Sequence, residues 1–352
     1  MIIYDIFLVP LTYVVFRVGA LFNLKIKQGL EGRKQYFQNA RALASLIPAN
    51  AKVYLFHSSS VGEWEQAVPI IEKMKERDSS VFVVVTFFSA SGFNVVKNKI
   101  IDAKLYMPYD SKSNARRFFE LFKPKAWIIC KYDVWPNMLL EAKRLNIPVL
   151  LTSAELAADS KRHIFPMKNI NKLFYSKIDY ILTISDDTRQ RFLQIYPFPE
   201  RIKTFGDSRF DRIYEKVSKV MDEEPIHIFK REEPYIIILG SSWPEDEKQV
   251  LPALIRTILK YQFVHTIIVP HEINEAHLTS IETYFAEAEI ATSRYSKFKE
   301  ENGTHMRVAI IDTVGILAKL YKISKIAFVG GAFGSGVHNV MEPAAFAQPV
   351  LF

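Results

Sequence analysis

The sequence predicts an α/β protein made of two doubly wound, Rossmann-type domains, and three observations carry that reading. Short, continuously apolar runs such as "SVFVVVTFF" and "PKAWIICKY" alternate with amphipathic stretches, the pattern of buried parallel strands joined by helices. The chain has 352 residues, more than one core usually organises. The alternation also stops at a charged, strand-poor stretch, "EKVSKVMDEEPIHIFKREEP", and restarts after it. The expected plan is therefore residues 1–34 as an anchor helix with a basic flank, 35–214 as one domain, 215–234 as a linker and 235–352 as a second domain. The two domains should face each other across a cleft.

The amino terminus is the first unusual element. "IFLVPLTYVVFRVGALFNL", residues 6–24, is nearly all apolar, and Lys25, Lys27, Arg33 and Lys34 follow it. Only Asp5 precedes it, unlike the basic start of a signal peptide. Pro10 and Arg17 weaken a full span, so a shallow anchor on an anionic membrane surface is preferred to a crossing helix. A buried amino-terminal helix is the alternative. The trailing basic residues place the following domain on the cytoplasmic side.

The strands of the first domain are read at "AKVYLFH", "SVFVVVTFF", "AKLYMPY", "PKAWIICKY", "IPVLLTSA" and "IDYILTIS". Helices are read between them, through "EWEQAVPIIEKMKER", "SASGFNVVKNKI", "SKSNARRFFELFK" and "WPNMLLEAKRLN", and after the last strand at "DDTRQRFLQIY". Beyond the charged stretch come "YIIILGSS", a helix through "EDEKQVLPALIRTILKY", then strands at "HTIIVPH", "RVAIID" and "KIAFVGG". The final "QPVLF" reads as an interior strand with nothing after it, so the natural chain is expected to continue past Phe352.

Composition narrows the chemistry. A hydrophobic share of 49% and a charged share of 24% are those of an ordinary globular protein. The net charge of +8 favours nucleic acid, anionic lipid or a phosphorylated substrate, unless it serves solubility alone. The single cysteine, Cys130, excludes an intrachain disulfide and fits a reducing compartment. Eight scattered histidines suggest no metal site.

Two stretches carry chemistry. In "HSSSVGEWEQ", residues 57–66, Glu63 opens a helix at the carboxyl end of a strand. An acid there complements the helix macrodipole as a cap, but open α/β sheets also keep their sites at that edge, so a catalytic base is the second reading. In "FVGGAFGSGVHNVMEPAAF", residues 328–346, a strand runs into Gly330, Gly331, Gly334, Ser335 and Gly336, and a helix is expected from His338 or Asn339. Glycines with a helix amino terminus form a phosphate cradle, here without the GK[ST] ending of an NTPase. Glu342 could cap that helix or accept from a ribose hydroxyl, and Pro270 with His271 sits at another strand end.

The ordered set "SSSVGEWEQAVPII", "KPKAWIICKYDVWPN", "GDSRFDR", "LGSSWPEDE", "VPHE", "DTVGILAKLY" and "VGGAFGSGVHNVMEP" resembles the bacterial 3-deoxy-D-manno-octulosonic acid (Kdo) transferases, over roughly residues 50–352. The resemblance implies a GT-B glycosyltransferase that moves Kdo from CMP-Kdo to a lipid A precursor, with the acceptor on the first domain and the donor on the second. It makes Glu63 the general base and Arg209 the cation at the transition state, where many relatives carry lysine. It places CMP contacts on Pro270, His271, Val314, Gly315, Ile316, Asn339, Val340, Met341 and Glu342. Two positions depart from the family pattern. Lys131 stands where many relatives carry glutamate, with Asp133 on the same strand face as the substitute carboxylate, and His271 replaces a common arginine. Lys131 becomes a candidate cation for the Kdo carboxylate or the departing phosphate. The implied setting is the cytoplasmic face of the inner membrane, with no nucleic-acid partner, cofactor or metal. The competing readings are another GT-B enzyme, such as a UDP-sugar epimerase or hexosyltransferase, and a non-catalytic lipid-binding module.

Overall fold

The computed structural model describes residues 4–97, 99–160, 162, 166–301, 303–334 and 336–352, and the chain divides into two compact units, Met1–Arg212 and Ile213–Phe352. Each unit is built on its own parallel sheet, as the apolar runs predict.

The first unit begins with a π-helical turn (Tyr4–Leu8), α1 (Val9–Gly19), α2 (Leu24–Glu31) and α3 (Tyr36–Ala44). The apolar stretch 6–24 is thus not one helix: it breaks after Gly19, and the Asn23 side chain restarts the chain by accepting from the N–H groups of Lys25 and Ile26. Arg33 does not belong to an exposed basic flank. Its side chain donates to the carbonyls of Gly29, Phe88 and Met107, so it is part of the folded unit.

Then come β1 (Lys52–Ser58), α4 (Val61–Arg77), β2 (Val81–Phe87), α5 (Ala90–Val95), β3 (Ala103–Tyr106), α6 (Lys112–Phe122), β4 (Ala126–Cys130), α7 (Pro136–Arg144) and β5 (Val149–Ala154). After these the chain runs through α8 (Met167–Tyr175), β6 (Tyr180–Thr183), α9 (Asp186–Leu193), β7 (Ile202–Thr204) and α10 (Ser208–Asp222). The strand order is β3-β2-β1-β4-β5-β6-β7 with every pair parallel. All seven residues of β2 are buried, because a parallel strand is covered on both faces. On α4, Trp64, Ala67, Val68 and Ile71 recur at helical spacing and pack with Phe56 and Val83 against one face of the sheet. Met138 and Leu139 of α7 pack against the other face, with Leu55 and Trp127.

The second unit contains β8 (Tyr235–Ser242), α11 (Pro244–Lys260), β9 (Val264–Pro270), α12 (Glu275–Ala286), β10 (Thr292–Arg294), α13 (Tyr295–Phe298), β11 (Val308–Ile310), α14 (Leu317–Ile323), β12 (Ile326–Val329), α15 (Met341–Ala345) and β13 (Val350–Leu351). Its strand order is β10-β11-β9-β8-β12-β13, again parallel throughout. The stretch 215–234 is helical as far as Asp222, since Ile213, Val217 and Val220 give α10 a buried stripe. The helix expected from His338 or Asn339 begins instead at Met341. The His338 N–H donates to Gly330 O and the Asn339 side chain accepts from Met341 N–H, a local turn that delays the helix.

Gly330, just past β12, shows how tightly the ends of β8 and β12 are joined. A Cβ there would lie 2.8 Å from Ser242 Cα and closer still to Ser241 O, and backbone atoms cannot swing aside. Gly330→Ala should therefore lower stability by about 1–3 kcal/mol, the usual range for overpacking, read as a lower denaturant midpoint at unchanged slope.

Candidate active site

In an open parallel sheet the crevice forms where neighbouring strands send their connections in opposite directions. In the first unit that point lies between β1 and β4, which pair from Tyr54–Ala126 to His57–Ile129. Glu63 follows β1, and Lys131 and Asp133 follow β4.

Ser60 is the extended N-cap of α4, and its hydroxyl accepts from Glu63 N–H at 3.4 Å. The Glu63 carboxylate reaches back, and its Oε2 accepts from Ser59 N–H at 2.5 Å. Capping and catalysis are therefore not alternatives: one oxygen holds the helix start, while Oε1 has no hydrogen bond among the described residues. The side chain is buried, with the residue only 5% exposed. Burial raises its pKa above the usual carboxylate range despite the opposing pull of Ser59 N–H; Asp133 adds to the rise, and His57 and Lys131 reduce it.

His57, the penultimate residue of β1, is fully buried behind this turn. Its Nδ1 lies 3.0 Å from the Thr86 hydroxyl and its Nε2 2.9 Å from Asp133 Oδ2. Nε2 faces a carboxylate that can only accept, so it carries a hydrogen, while Nδ1 faces a Thr86 hydroxyl that is also within 3.2 Å of Phe56 O. Asp133 also accepts from the Ser59 hydroxyl and from Trp135 Nε1 at 3.2 Å. Burial would push the Asp133 carboxyl up, but these bonds together hold it below its ordinary value. Asp133 does not lie on a strand face, because β4 ends at Cys130 and Lys131 turns the chain with φ of 72°. Its carboxylate is committed to His57, Ser59 and Trp135.

Lys131 pairs with Glu155, just past β5, at 3.1 Å. Arg209, at the start of α10, grips Asp207 through Nε (2.8 Å) and Nη2 (2.5 Å). Those hydrogen bonds raise its pKa against the effect of burial, and the charges of Asp207 and Glu155 add to the rise. Gln66 of α4 donates to the same Asp207 at 3.1 Å, which ties Arg209 to the Glu63 helix. Glu63, Lys131 and Arg209 thus share the carboxyl edge of one sheet, with Glu155 acting electrostatically on both cations.

In the second unit the strand order reverses between β8 and β12. Asp246 in the first turn of α11 is fully buried there, and its carboxylate accepts from the N–H groups of Trp243 (2.9 Å), Gly331 (2.7 Å) and Phe333 (3.3 Å). Hydrogen bonds to a charged group are worth about 1.5–3 kcal/mol each, so together they can offset the several-kcal/mol desolvation of one carboxylate. Asp246 therefore organises the glycine-rich loop. Gly336 N–H closes the loop onto Gly331 O at 2.8 Å, with φ of 103° at Gly331 and 102° at Gly336. Ser335 lies outside the described residues. The phosphate cradle read from sequence is thereby corrected: the N–H groups of Gly331, Phe333, Gly334, Gly336, His338 and Met341 are already used within the protein.

Pro270 ends β9, Val314, Gly315 and Ile316 lie between β11 and α14, Asn339 and Val340 lie between β12 and α15, and Met341 and Glu342 open α15, so all follow the carboxyl ends of strands of the second sheet. His271 stacks on Trp243 (4.6 Å) and on His338 (4.4 Å), and Trp243 Nε1 donates to His338 Nε2 at 2.8 Å. Burial lowers the His338 pKa and His271 lowers it further, against Asp246. Glu342 pairs with Lys216 at 2.5 Å, and Val314 is 83% exposed.

The family model of 3-deoxy-D-manno-octulosonic-acid transferase (Kdo transferase) matches residues 31–212, just over half of the chain. The chain belongs to the Kdo transferase family. A 3-deoxy-D-manno-octulosonic acid transferase of Haemophilus influenzae is 25% identical over 93% of this chain and 75% of its own length. A bifunctional glycosyltransferase/methyltransferase of Fusobacterium nucleatum is 24% identical over 92% of this chain, which spans only 50% of that protein. Among solved structures, the UDP-GlcNAc 2-epimerase of Neisseria meningitidis bound to UDP-GlcNAc is similar at a TM-score of 0.57 and 14% identity, covering 85% of this chain and 81% of that one. At that identity the likeness shows the fold alone.

Sequence reading for this Kdo transferase family member missed His57, Glu155, Trp243 and His338 as neighbours of the site. His57, Trp243 and His338 lie within stretches singled out above, but nothing local in those stretches reveals their contacts. His57 and Asp133 are 76 residues apart, and only the β1–β4 pairing joins them.

This arrangement generates a test. His57→Asn removes a donor that favours ionised Asp133 and Glu63, so both carboxyls should titrate at higher pH than in the parent. Carboxyl 13C NMR titration checks this, and an unmoved Glu63 curve would remove His57 from its electrostatics.

Proposed function

We propose that this protein is an inverting glycosyltransferase that moves Kdo from CMP-Kdo to the primary hydroxyl of a lipid A disaccharide precursor. The observation that carries the reading is Glu63: a buried carboxylate of raised pKa at the switch point of the first sheet, with one oxygen anchored and the other unbonded. Family membership supplies the class of transfer.

In the proposed step, Glu63 Oε1 takes the proton of the acceptor hydroxyl as that oxygen attacks the anomeric carbon of Kdo. The bond from that carbon to the phosphate oxygen of CMP breaks, its electron pair stays on the phosphate, and attack from the opposite face inverts the centre. A helix amino terminus alone would weaken Glu63 as a base, but here burial outweighs it. Arg209 supplies the cation for the Kdo carboxylate or the leaving phosphate. Lys131 assists only as far as Glu155 leaves its charge unneutralised. On the second unit, Pro270, His271, Val314–Ile316 and Asn339–Glu342 are assigned to CMP, with Trp243 and His338 supporting His271.

The same reading places the protein on the anionic cytoplasmic surface of the inner membrane. No helix among the described residues is long and apolar enough to cross a bilayer. At 11 residues, α1 spans about 16 Å against a hydrocarbon core of about 30 Å. Leu21 (78% exposed) and Phe22 (85%) top an apolar surface that also includes Leu11, Val15 and Leu24, with Lys25 and Lys27 beside it. Shallow insertion with electrostatic attraction fits this surface.

Glu63→Gln should lower turnover by about a hundredfold or more while CMP affinity, measured by calorimetry, stays at the parent value. Near-parental turnover would return Glu63 to a purely capping role. For the membrane, replacing both Leu21 and Phe22 by serine should reduce sedimentation with phosphatidylglycerol vesicles and leave the melting temperature unchanged. Parental sedimentation would place the attachment elsewhere. These exposed positions test attachment better than removal of residues 1–34, which would also strip half-buried Arg33 from the fold.

A further inference from the structure

The amino-terminal helices do more than offer an apolar surface. Together with the start of α5 and the segment after β2, they enclose a pocket of about 180 Å³ within the first unit. Phe16, Ile26, Leu30, Phe88 and Tyr109 give it apolar walls. Two cations, Lys25 and Arg33, also line it, and no acid does.

Arg33 is the informative residue. Its N–H groups go to three carbonyls, and its guanidinium lies 4.7 Å from the centre of the Tyr106 ring, 5.1 Å from that of Phe88 and 5.3 Å from that of Tyr109. No carboxylate forms an ion pair with it among the described residues, and burial lowers its pKa because nothing anionic offsets the lost hydration. Lys25 at the mouth is likewise without an ion pair among the described residues. An apolar pocket that carries two positive charges and no counter-charge is complementary to an anionic amphiphile, with hydrocarbon against the rings and a phosphate or carboxylate at the cations.

The pocket's position links it to the reacting base. Its Phe88–Ser89 wall is hydrogen-bonded through Ser89 N–H to Ser59 O at 3.3 Å, and the N–H of that same Ser59 holds Glu63. Phe88 also packs on Trp135 at 4.8 Å, whose indole binds Asp133. A ligand in the pocket would therefore press on the backbone that orients the base.

We propose that this pocket is the lipid subsite of the acceptor: it takes part of one acyl chain of the phosphorylated disaccharide, whose phosphate meets Lys25. This rests on the acceptor reading given above. A 150 Å³ apolar cavity holds a benzene molecule, so about six carbons is the scale of the segment admitted, and the rest of the chain stays in the bilayer.

Ser91 is exposed and lines the pocket, so Ser91→Trp should fill it without touching the core, with Ser91→Ala as the size control. The full-length chain is used, and equal melting temperatures establish that both variants fold. Without donor or acceptor, the fluorescent fatty acid cis-parinaric acid should bind the parent and Ser91→Ala saturably, and Ser91→Trp at least about tenfold more weakly, the effect of excluding two methylenes. In transfer assays, Ser91→Trp should raise KM for the acylated acceptor by a similar factor, with both kcat and KM for a deacylated acceptor unchanged. No saturable fatty-acid binding, or an equal KM change for both acceptors, overturns the subsite while leaving the transferase reading intact. Loss of vesicle binding in Ser91→Trp with unchanged KM overturns it too, by assigning the pocket to a bulk bilayer lipid. Fatty-acid binding blocked by Ser91→Trp in a protein that transfers to no acylated disaccharide supports an amphiphile pocket and overturns the acceptor reading instead.

Discussion

The hydrogen-bonded pairing of β1 with β4 is the constraint on which the first unit depends. The two strands run parallel and in register, yet α4 leaves β1 onto one face of the sheet and α7 leaves β4 onto the other. Nothing can fill the space directly above both strand ends, because the chain departs from it on either side. His57 stands at the end of β1, Glu63 in the first turn of the helix that follows it, and Lys131 and Asp133 just past β4, so all four border that space. The second sheet repeats the device between β8 and β12, and there Asp246 fixes the loop that closes the strand end.

Most charges in the first site lie against an opposite neighbour, and Glu63 is the exception because it faces the like charge of Asp133. His57 lies against Asp133, Asp133 lies near Glu63, Lys131 bonds Glu155, and Glu155 acts on Arg209, which holds Asp207. Such pairing lets several ionised groups share a half-buried site, since each is solvated by its neighbour instead of by water. It also lets Glu63 differ from the rest. Asp133 and Asp207 each gain enough partners to stay below the ordinary carboxylate range, whereas Glu63 has one backbone N–H against burial and rises. The opposite directions in which these carboxyls are displaced rest on that difference in partner count.

Much of this was legible in the amino-acid sequence, and the reasons differ by element. The central strands announce themselves because burial on both faces demands unbroken apolar runs, as in β2. β7 and β10, three residues each, carry "IKT" and "TSR", which have no such signature, and only pairing with a neighbour makes them strands. Glu63 was legible because a helix-start acid behind three serines is a local pattern. The His57–Asp133 contact was not, since it depends on two strands far apart in the chain coming into register. The late start of α15 and the half-buried placement of Arg33 share another cause. Asn339 and Arg33 make side-chain bonds to backbone that no periodicity encodes.

The backbone at Lys131 bears on which side chains that position can hold. With φ of 72°, the residue occupies the left-handed region, which costs an L-amino acid other than glycine about 1–2 kcal/mol and most disfavours β-branched side chains. Valine, isoleucine and threonine are therefore poor occupants of the position, whatever the ligand. Exchanges among long unbranched side chains face no such barrier, because glutamate and lysine bear the strain equally. The strand-end geometry leaves sign of charge as the property most open to drift, so this corner can be re-tuned electrostatically without rebuilding the main chain beneath it.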